Sequence, residues 1–88
     1  MNEIDQLRKK IDTYNEELLN LLNERAKVAL DIGKIKKVQN IPVLDSNREK
    51  IILEKLFCLN NGPLTTEMVD NIFTEIMKAN KQLQDNLK

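Results

Sequence analysis

The chain has 88 residues, with 14 basic and 14 acidic side chains, no histidine and one cysteine. Zero net charge gives no general attraction to nucleic acid or to a membrane surface, and the lack of histidine and of a cysteine cluster argues against a transition-metal site. With no signal peptide, no membrane-spanning apolar run and no glycine-rich phosphate loop, we expect one small cytoplasmic domain over residues 1–88, without a cofactor.

The first predicted element is one long helix over residues 4–38. Apolar side chains recur along it at alternating spacings of three and four residues, which is typical of one buried face. This apolar seam consists of Ile4, Leu7, Ile11, Tyr14, Leu18, Leu21, Val28, Ile32 and Ile35. Such a helix is roughly 50 Å long, whereas a compact domain of this length is only about 30 Å across. Because the overhang carries the same seam, we predict an intertwined homodimer.

Two shorter helices are predicted after a proline-containing link. Asp45 and Ser46 can each cap the second helix, over residues 47–59, and the segment from Ser46 to Glu49 has the form of a capping box. An Asn-Asn-Gly-Pro turn separates it from the third helix, over residues 65–87. Since no strand pattern occurs, the predicted fold class is all-α, with three helices per chain.

Arg25 interrupts the apolar seam. An unpaired arginine in a packed face would cost roughly several kcal/mol, so an anion should meet it, either a carboxylate of the chain or a ligand. Lys36 lies eleven residues later on the same helix face. The small residues Ala29 and Gly33 between the two cations would leave a niche for a small anion. Alternatively, Lys36 is a solvated charge at the end of the helix.

Arg8 lies beside the seam, about 25 Å along the helix from Arg25. Arg8 and Arg25 of the same chain therefore cannot bind one small ligand together. If two first helices pack antiparallel, Arg8 of one chain can approach Arg25 of the other. The alternative is an ordinary surface arginine.

Five further polar residues are candidates for the same pocket. Asp45 can cap the second helix or hold a cation, and Arg48 can be a solvated first-turn residue. Glu49 can complete the capping box, pair with Arg25 or face a ligand. Asn80 and Gln84 form an amide pair in the apolar stripe of the third helix, where they need partners from another helix or from a ligand. Jointly these residues describe a pocket for a small polycarboxylate that works by orientation and electrostatics.

The same residues occur as an ordered set of motifs: Leu7 to Asp12, Glu24-Arg25, Gly33 to Lys36, Pro42 to Asp45 with Arg48-Glu49, and Asn80 to Gln84. In this order the chain resembles the all-helical chorismate mutases of the AroQ class. The resemblance implies a dimer with two equivalent active sites, which rearranges chorismate to prephenate in the shikimate route to phenylalanine and tyrosine.

The resemblance also implies a role for each residue. Arg25 and Arg8 of the partner subunit would hold the substrate carboxylates. Lys36 and Gln84 would donate to the ether oxygen, where negative charge grows as the C–O bond breaks.

The remaining site residues would bind the ring side of the substrate. Glu49 would accept from the ring hydroxyl with Arg48 nearby, and Asp45 would line the pocket. Asn80 stands where many members of the family have serine, so its role is the least defined.

Three other functions fit the same pattern. Mutase-like domains are often fused to a 3-deoxy-heptulosonate 7-phosphate (DAHP) synthase, where they bind chorismate or prephenate and regulate the synthase. Isochorismate pyruvate lyase shares the scaffold. A helical interaction module without a ligand is the third alternative.

Overall fold

The computed structural model describes residues 2–87 and contains three α-helices. These are α1 (Glu3–Gln39), α2 (Ser46–Leu59) and α3 (Thr66–Asp85). The described part of the chain contains no strand, so the all-α prediction is confirmed. The predicted helix bounds agree with the observed ones to within two residues. The domain expected over residues 1–88 includes Met1 and Lys88, which lie outside the described residues.

Each helix begins at a side-chain cap that accepts a hydrogen bond from a backbone N–H three residues later. The caps are Asn2, Asp45 and Thr65. Because Asp45 caps α2, Ser46 is the first helical residue, and the capping box from Ser46 to Glu49 is wrong. The Glu49 side chain therefore has no capping role, which leaves its carboxylate available to a neighbouring site.

The helix α3 packs against both α1 and α2. Among residues 2–87, the buried apolar side chains of the core are Val69 and Met77, both on the inner face of α3. Cys58, the single cysteine of the sequence, lies in α2 and is exposed in the single chain. The core of one chain is therefore small and runs along α3.

The apolar seam of α1 is left uncovered. Each of its nine members is between 45% and 67% exposed in the single chain. The chain measures 56 × 26 × 15 Å, and its radius of gyration is 16.3 Å, against about 12 Å for a compact domain of this length. In the part of the chain that the structure describes, no helix is long and apolar enough to cross a membrane.

Candidate active site

A cavity of about 410 Å³ lies between α1, the link before α2, the first turns of α2 and the C-terminal half of α3. This volume is in the range of small-molecule sites. Seven of the eight residues that the sequence suggested line it: Arg25, Lys36, Asp45, Arg48, Glu49, Asn80 and Gln84. The apolar part of the wall is formed by Val28, Ala29, Ile32, Val43, Ile52 and Met77.

The register of α1 explains how one helix contributes two cations to the wall. Arg25, Ala29, Ile32 and Lys36 follow one another at spacings of four, three and four residues, so they share one face. All four line the cavity. The part of the seam that Arg25 interrupts is therefore the place where α1 faces a cavity instead of a packed core.

Arg25 is held by a neutral amide. Its Nη1 donates to Oδ1 of Asn80 at 2.8 Å, and Nδ2 of Asn80 donates to the carbonyl of Ile76 at 3.1 Å. Asn80 itself is only 9% exposed. Within residues 2–87 Arg25 forms no ion pair, so the alternatives that paired it with Glu49 or Asp45 are wrong. Its charge is thus left for an anionic ligand.

Lys36 ties α1 to the link that precedes α2. Its Nζ donates to the carbonyl oxygen of Val43 at 3.1 Å, and its side chain is half-buried. The alternative of a freely solvated charge at the helix end is therefore wrong. An ammonium group has three N–H donors, so Lys36 keeps donors for a ligand while the link fixes its position.

Gln84 crosses from α3 to α1. Its Nε2 donates to the carbonyl oxygen of Ala29 at 2.6 Å. The stem of Gln84 and the side chain of Leu87 cover Gly33, which is buried. The niche that we expected at Gly33 is therefore filled by these two side chains, although Ala29 still lines the cavity. The second N–H of the Gln84 amide remains for a ligand.

The N-terminal end of α2 closes another side of the cavity. Oδ1 of Asp45 accepts from the backbone N–H of Arg48 at 3.0 Å, so Asp45 caps α2, and it also lines the cavity. Arg48 and the half-buried Glu49 stand in the first turn. This end of the cavity therefore presents one guanidinium group and two carboxylates that can accept hydrogen bonds.

Lys81 is a lining residue that sequence reasoning missed. It pairs with Asp85 at 3.7 Å, and its side chain is 41% exposed. Its position on α3 between Asn80 and Gln84, two predicted site residues, could have indicated that it lines the cavity. With Lys81, the wall carries four cations (Arg25, Lys36, Arg48 and Lys81) and two carboxylates (Asp45 and Glu49), a formal excess of two positive charges. No hydroxyl, thiol or imidazole group is among the described lining residues.

Arg8 does not reach the cavity of its own chain. It forms an exposed ion pair with Asp5 at 3.6 Å near the start of α1, and its side chain is 72% exposed. The helical rise places it about 25 Å from Arg25. Only a second chain could bring an Arg8 side chain to this cavity.

Comparison with known proteins assigns the family. The model of the family described as chorismate mutase type II matches residues 7–85. A bifunctional chorismate mutase/prephenate dehydratase of Aquifex aeolicus is 42% identical over 92 residues, which cover 100% of this chain and 25% of that protein. A chorismate mutase of Methanocaldococcus jannaschii is 33% identical over 85 residues, covering 96% of this chain and 86% of that protein. The chain thus spans about a quarter of the length of its bifunctional relatives.

Solved structures agree with this assignment. A chorismate mutase of Thermus thermophilus (form II) superposes with a TM-score of 0.95 at 34% identity, and the match covers 99% of each chain. A chorismate mutase of Helicobacter pylori in complex with prephenate superposes with a TM-score of 0.88 at 34% identity, covering 94% of this chain and 90% of that one. The chain therefore belongs to the type II chorismate mutase family.

Proposed function

We propose that the chain catalyses the rearrangement of chorismate to prephenate. The observation that carries this proposal is the convergence of Arg25, Lys36, Glu49 and Gln84 in one cavity that has a formal excess of two positive charges. Chorismate carries two carboxylates, so its charge matches this excess. The Helicobacter pylori relative, which superposes over nearly the whole chain, was solved with prephenate bound.

The reaction needs only the kind of groups that this cavity holds. In the Claisen rearrangement the bond from the ring to the ether oxygen breaks while a carbon–carbon bond forms, in one concerted step and without proton transfer. A cavity without a hydroxyl, thiol or imidazole nucleophile among its described residues suits such a step. The protein contributes by holding the reactive conformation and by stabilising charge.

Lys36 and Gln84 are the proposed donors to the ether oxygen. Negative charge grows on that oxygen as the C–O bond lengthens, so donors aimed at it stabilise the transition state more than the ground state. Both side chains are already anchored to backbone carbonyls, Lys36 to Val43 and Gln84 to Ala29. Anchored donors need little reorganisation during the reaction, which is the condition for efficient electrostatic catalysis.

A homodimer would complete the site. One chain exposes 7425 Å², whereas a compact monomer of 10.2 kDa exposes about 5,300 Å². The excess, about 2,100 Å² per chain, is of the size that obligate dimers bury. The exposed seam of α1 supplies an apolar surface for this contact. If two α1 helices pack antiparallel, Arg8 of the partner subunit joins Arg25 in holding the substrate carboxylates.

Leu21→Asp tests the dimer. Leu21 is 67% exposed in the single chain, so in a monomer this change would shift stability by only about 0.5 kcal/mol. In a dimer it buries a charge in the apolar seam, and we expect dissociation or unfolding at micromolar concentration in sedimentation experiments. Asn20→Asp, which places the same charge on the adjacent residue outside the seam, should leave the dimer intact. Equal behaviour of the two variants would contradict the proposed interface.

Asn80→Ala tests the support of Arg25. The change removes the acceptor for Nη1 of Arg25, so the guanidinium loses its fixed orientation and we expect kcat/KM for chorismate to fall by about 10-fold to 100-fold. Asn80→Asp is the informative companion, because a carboxylate keeps the hydrogen bond but neutralises the charge of Arg25. If Asn80→Asp were as active as the wild type, the positive charge at Arg25 would not be what binds substrate.

Product identification separates this function from its rivals. The wild-type chain is incubated with chorismate and, separately, with isochorismate, and the products are identified by proton NMR. Prephenate formed from chorismate supports the proposal. Faster release of pyruvate from isochorismate would assign a lyase, and prephenate binding without chorismate consumption would assign a regulatory domain. The bifunctional relatives combine chorismate mutase with prephenate dehydratase, and thus give no support to the alternative of an association with DAHP synthase.

A further inference from the structure

Gly33 is the buried residue of α1. Glycine is disfavoured in the interior of a helix because it gains no side-chain packing and loses more backbone freedom than alanine. The backbone does not require glycine here, since neither glycine of the chain has a positive φ. The reason for glycine at this position must therefore lie in the space around it.

That space is occupied by α3. A Cβ atom added to Gly33 would lie 2.8 Å from Cγ of Gln84, 3.0 Å from Cδ1 of Leu87 and 3.2 Å from Cβ of Gln84. These separations are shorter than ordinary carbon–carbon contacts of about 3.5–4.0 Å. Alanine can be accommodated only if the side chain of Gln84 or that of Leu87, just after α3, moves away from α1.

Gln84 is consequently held at two points of α1. Its stem lies against Gly33, and its amide Nε2 donates to the carbonyl oxygen of Ala29, one turn earlier on the same helix. Two contacts on one rigid helix determine both where the side chain enters the cavity and how its amide is oriented. A shift of the stem by even a few tenths of an ångström would be transmitted to the amide.

We infer that Gly33 is a positioning residue for Gln84. Because Gly33 has no side chain, the stem of Gln84 packs directly against α1, and the amide reaches the cavity in a fixed orientation. This inference rests on the proposed function, since the positioned amide is the proposed donor to the ether oxygen. Gly33 contacts no reacting atom itself, because it lies under Gln84 and is not among the residues that line the cavity.

A double-mutant cycle measures the effect. Gly33→Ala is expected to lower kcat for chorismate by about 10-fold with KM changed by less than about threefold, because a displaced donor weakens transition-state stabilisation. In a Gln84→Ala background, where Cγ is absent, the same change should lower kcat by less than about twofold. An equal loss in both backgrounds, or no loss in the wild-type background, would overturn the inference.

A second readout does not depend on activity. The side-chain amide signals of Gln84 in a nitrogen–proton NMR spectrum are assigned by their loss in Gln84→Ala. Gly33→Ala should shift these signals, whereas Gly62→Ala, whose added Cβ would have only Asn60 Oδ1 at 3.9 Å nearby, should not. Unmoved signals would overturn the inference. If Gly33→Ala shifts the signals but the wild-type chain has no mutase activity, the proposed function is refuted and the positioning of Gln84 by Gly33 stands.

One companion variant guards against loss of folding. If Gly33→Ala does not fold, Gly33→Ala combined with Leu87→Ala removes the 3.0 Å contact and keeps the contact with Gln84. The same kinetic and NMR comparisons then apply to this double variant, with Leu87→Ala alone as its reference.

Discussion

Lys36→Ala is expected to fold and dimerise like the wild type, yet to lose at least about 100-fold in kcat for chorismate. The reason is that Lys36 carries the anchored ammonium proposed to face the ether oxygen, and its charge would stabilise the negative charge that develops on this oxygen only in the transition state. Losing the hydrogen bond from Nζ to the carbonyl of Val43 should cost only about 1 kcal/mol of stability. A small change in thermal unfolding together with a large fall in kcat is the expected result.

Lys34→Ala is the matched control for this experiment. Lys34 lies two residues earlier on α1, is exposed and is not among the residues that line the cavity. We expect it to retain kcat within about twofold, since an exposed charge far from the ligand acts only through a screened field. If Lys36→Ala kept wild-type turnover, the role assigned to Lys36 would be refuted.

Arg8→Ala and Arg25→Ala are each expected to abolish turnover as homodimers. Each site would then lack one of the two guanidinium groups proposed to hold the substrate carboxylates. Arginine binds a carboxylate through two parallel N–H donors, which alanine cannot replace. Arg8→Ala is the more revealing of the two, because Arg8 is 72% exposed and lies outside the cavity of its own chain. If the site were not shared between two chains, substitution of such an exposed arginine should leave turnover unchanged.

Mixing the two inactive variants should restore activity. A heterodimer of Arg8→Ala and Arg25→Ala has one site with both substitutions and one site with neither. Random exchange of chains at equal concentrations gives half heterodimers, so about a quarter of wild-type activity should return. Turnover is measured before and after the mixture is unfolded and refolded together. If the refolded mixture stayed inactive while each variant remained dimeric, the shared site would be contradicted.

The contribution of α1 to the site could be predicted because a helix has a fixed register. Rotation by about 100° per residue places Arg25 and Lys36 on one face without knowledge of the rest of the fold. The helix bounds were equally accessible, since the caps Asn2, Asp45 and Thr65 are local signals. Only the choice between Asp45 and Ser46 as the cap of α2 needed the structure.

The contacts between helices could not be predicted from the residues alone. Whether Asn80 meets Arg25, and whether Gln84 or a ligand fills the space at Gly33, depends on how far α3 slides along α1. Periodicity defines the face of a helix but not its offset against a neighbour. This is why the alternative of an ion pair for Arg25 and the expected niche at Gly33 were wrong, and why Lys81 was missed.

The apolar seam of α1 has a different status. The sequence placed it on one buried face, whereas in the single chain all nine members are at least 45% exposed. The contradiction disappears if a second chain covers the seam, as the proposed dimer requires. The pattern of the seam therefore predicts a homodimer, because a single chain leaves these side chains exposed.

The rate of prephenate formation from chorismate is the measurement that tests the central claim most directly. The purified chain, at micromolar concentration, is compared with the same buffer without protein and with Lys36→Ala. We predict that the wild-type chain accelerates the reaction by at least about 10⁵-fold and that Lys36→Ala loses most of this acceleration. Prephenate appearing at the uncatalysed rate, with a folded and dimeric wild-type chain in the sample, would contradict the proposed function.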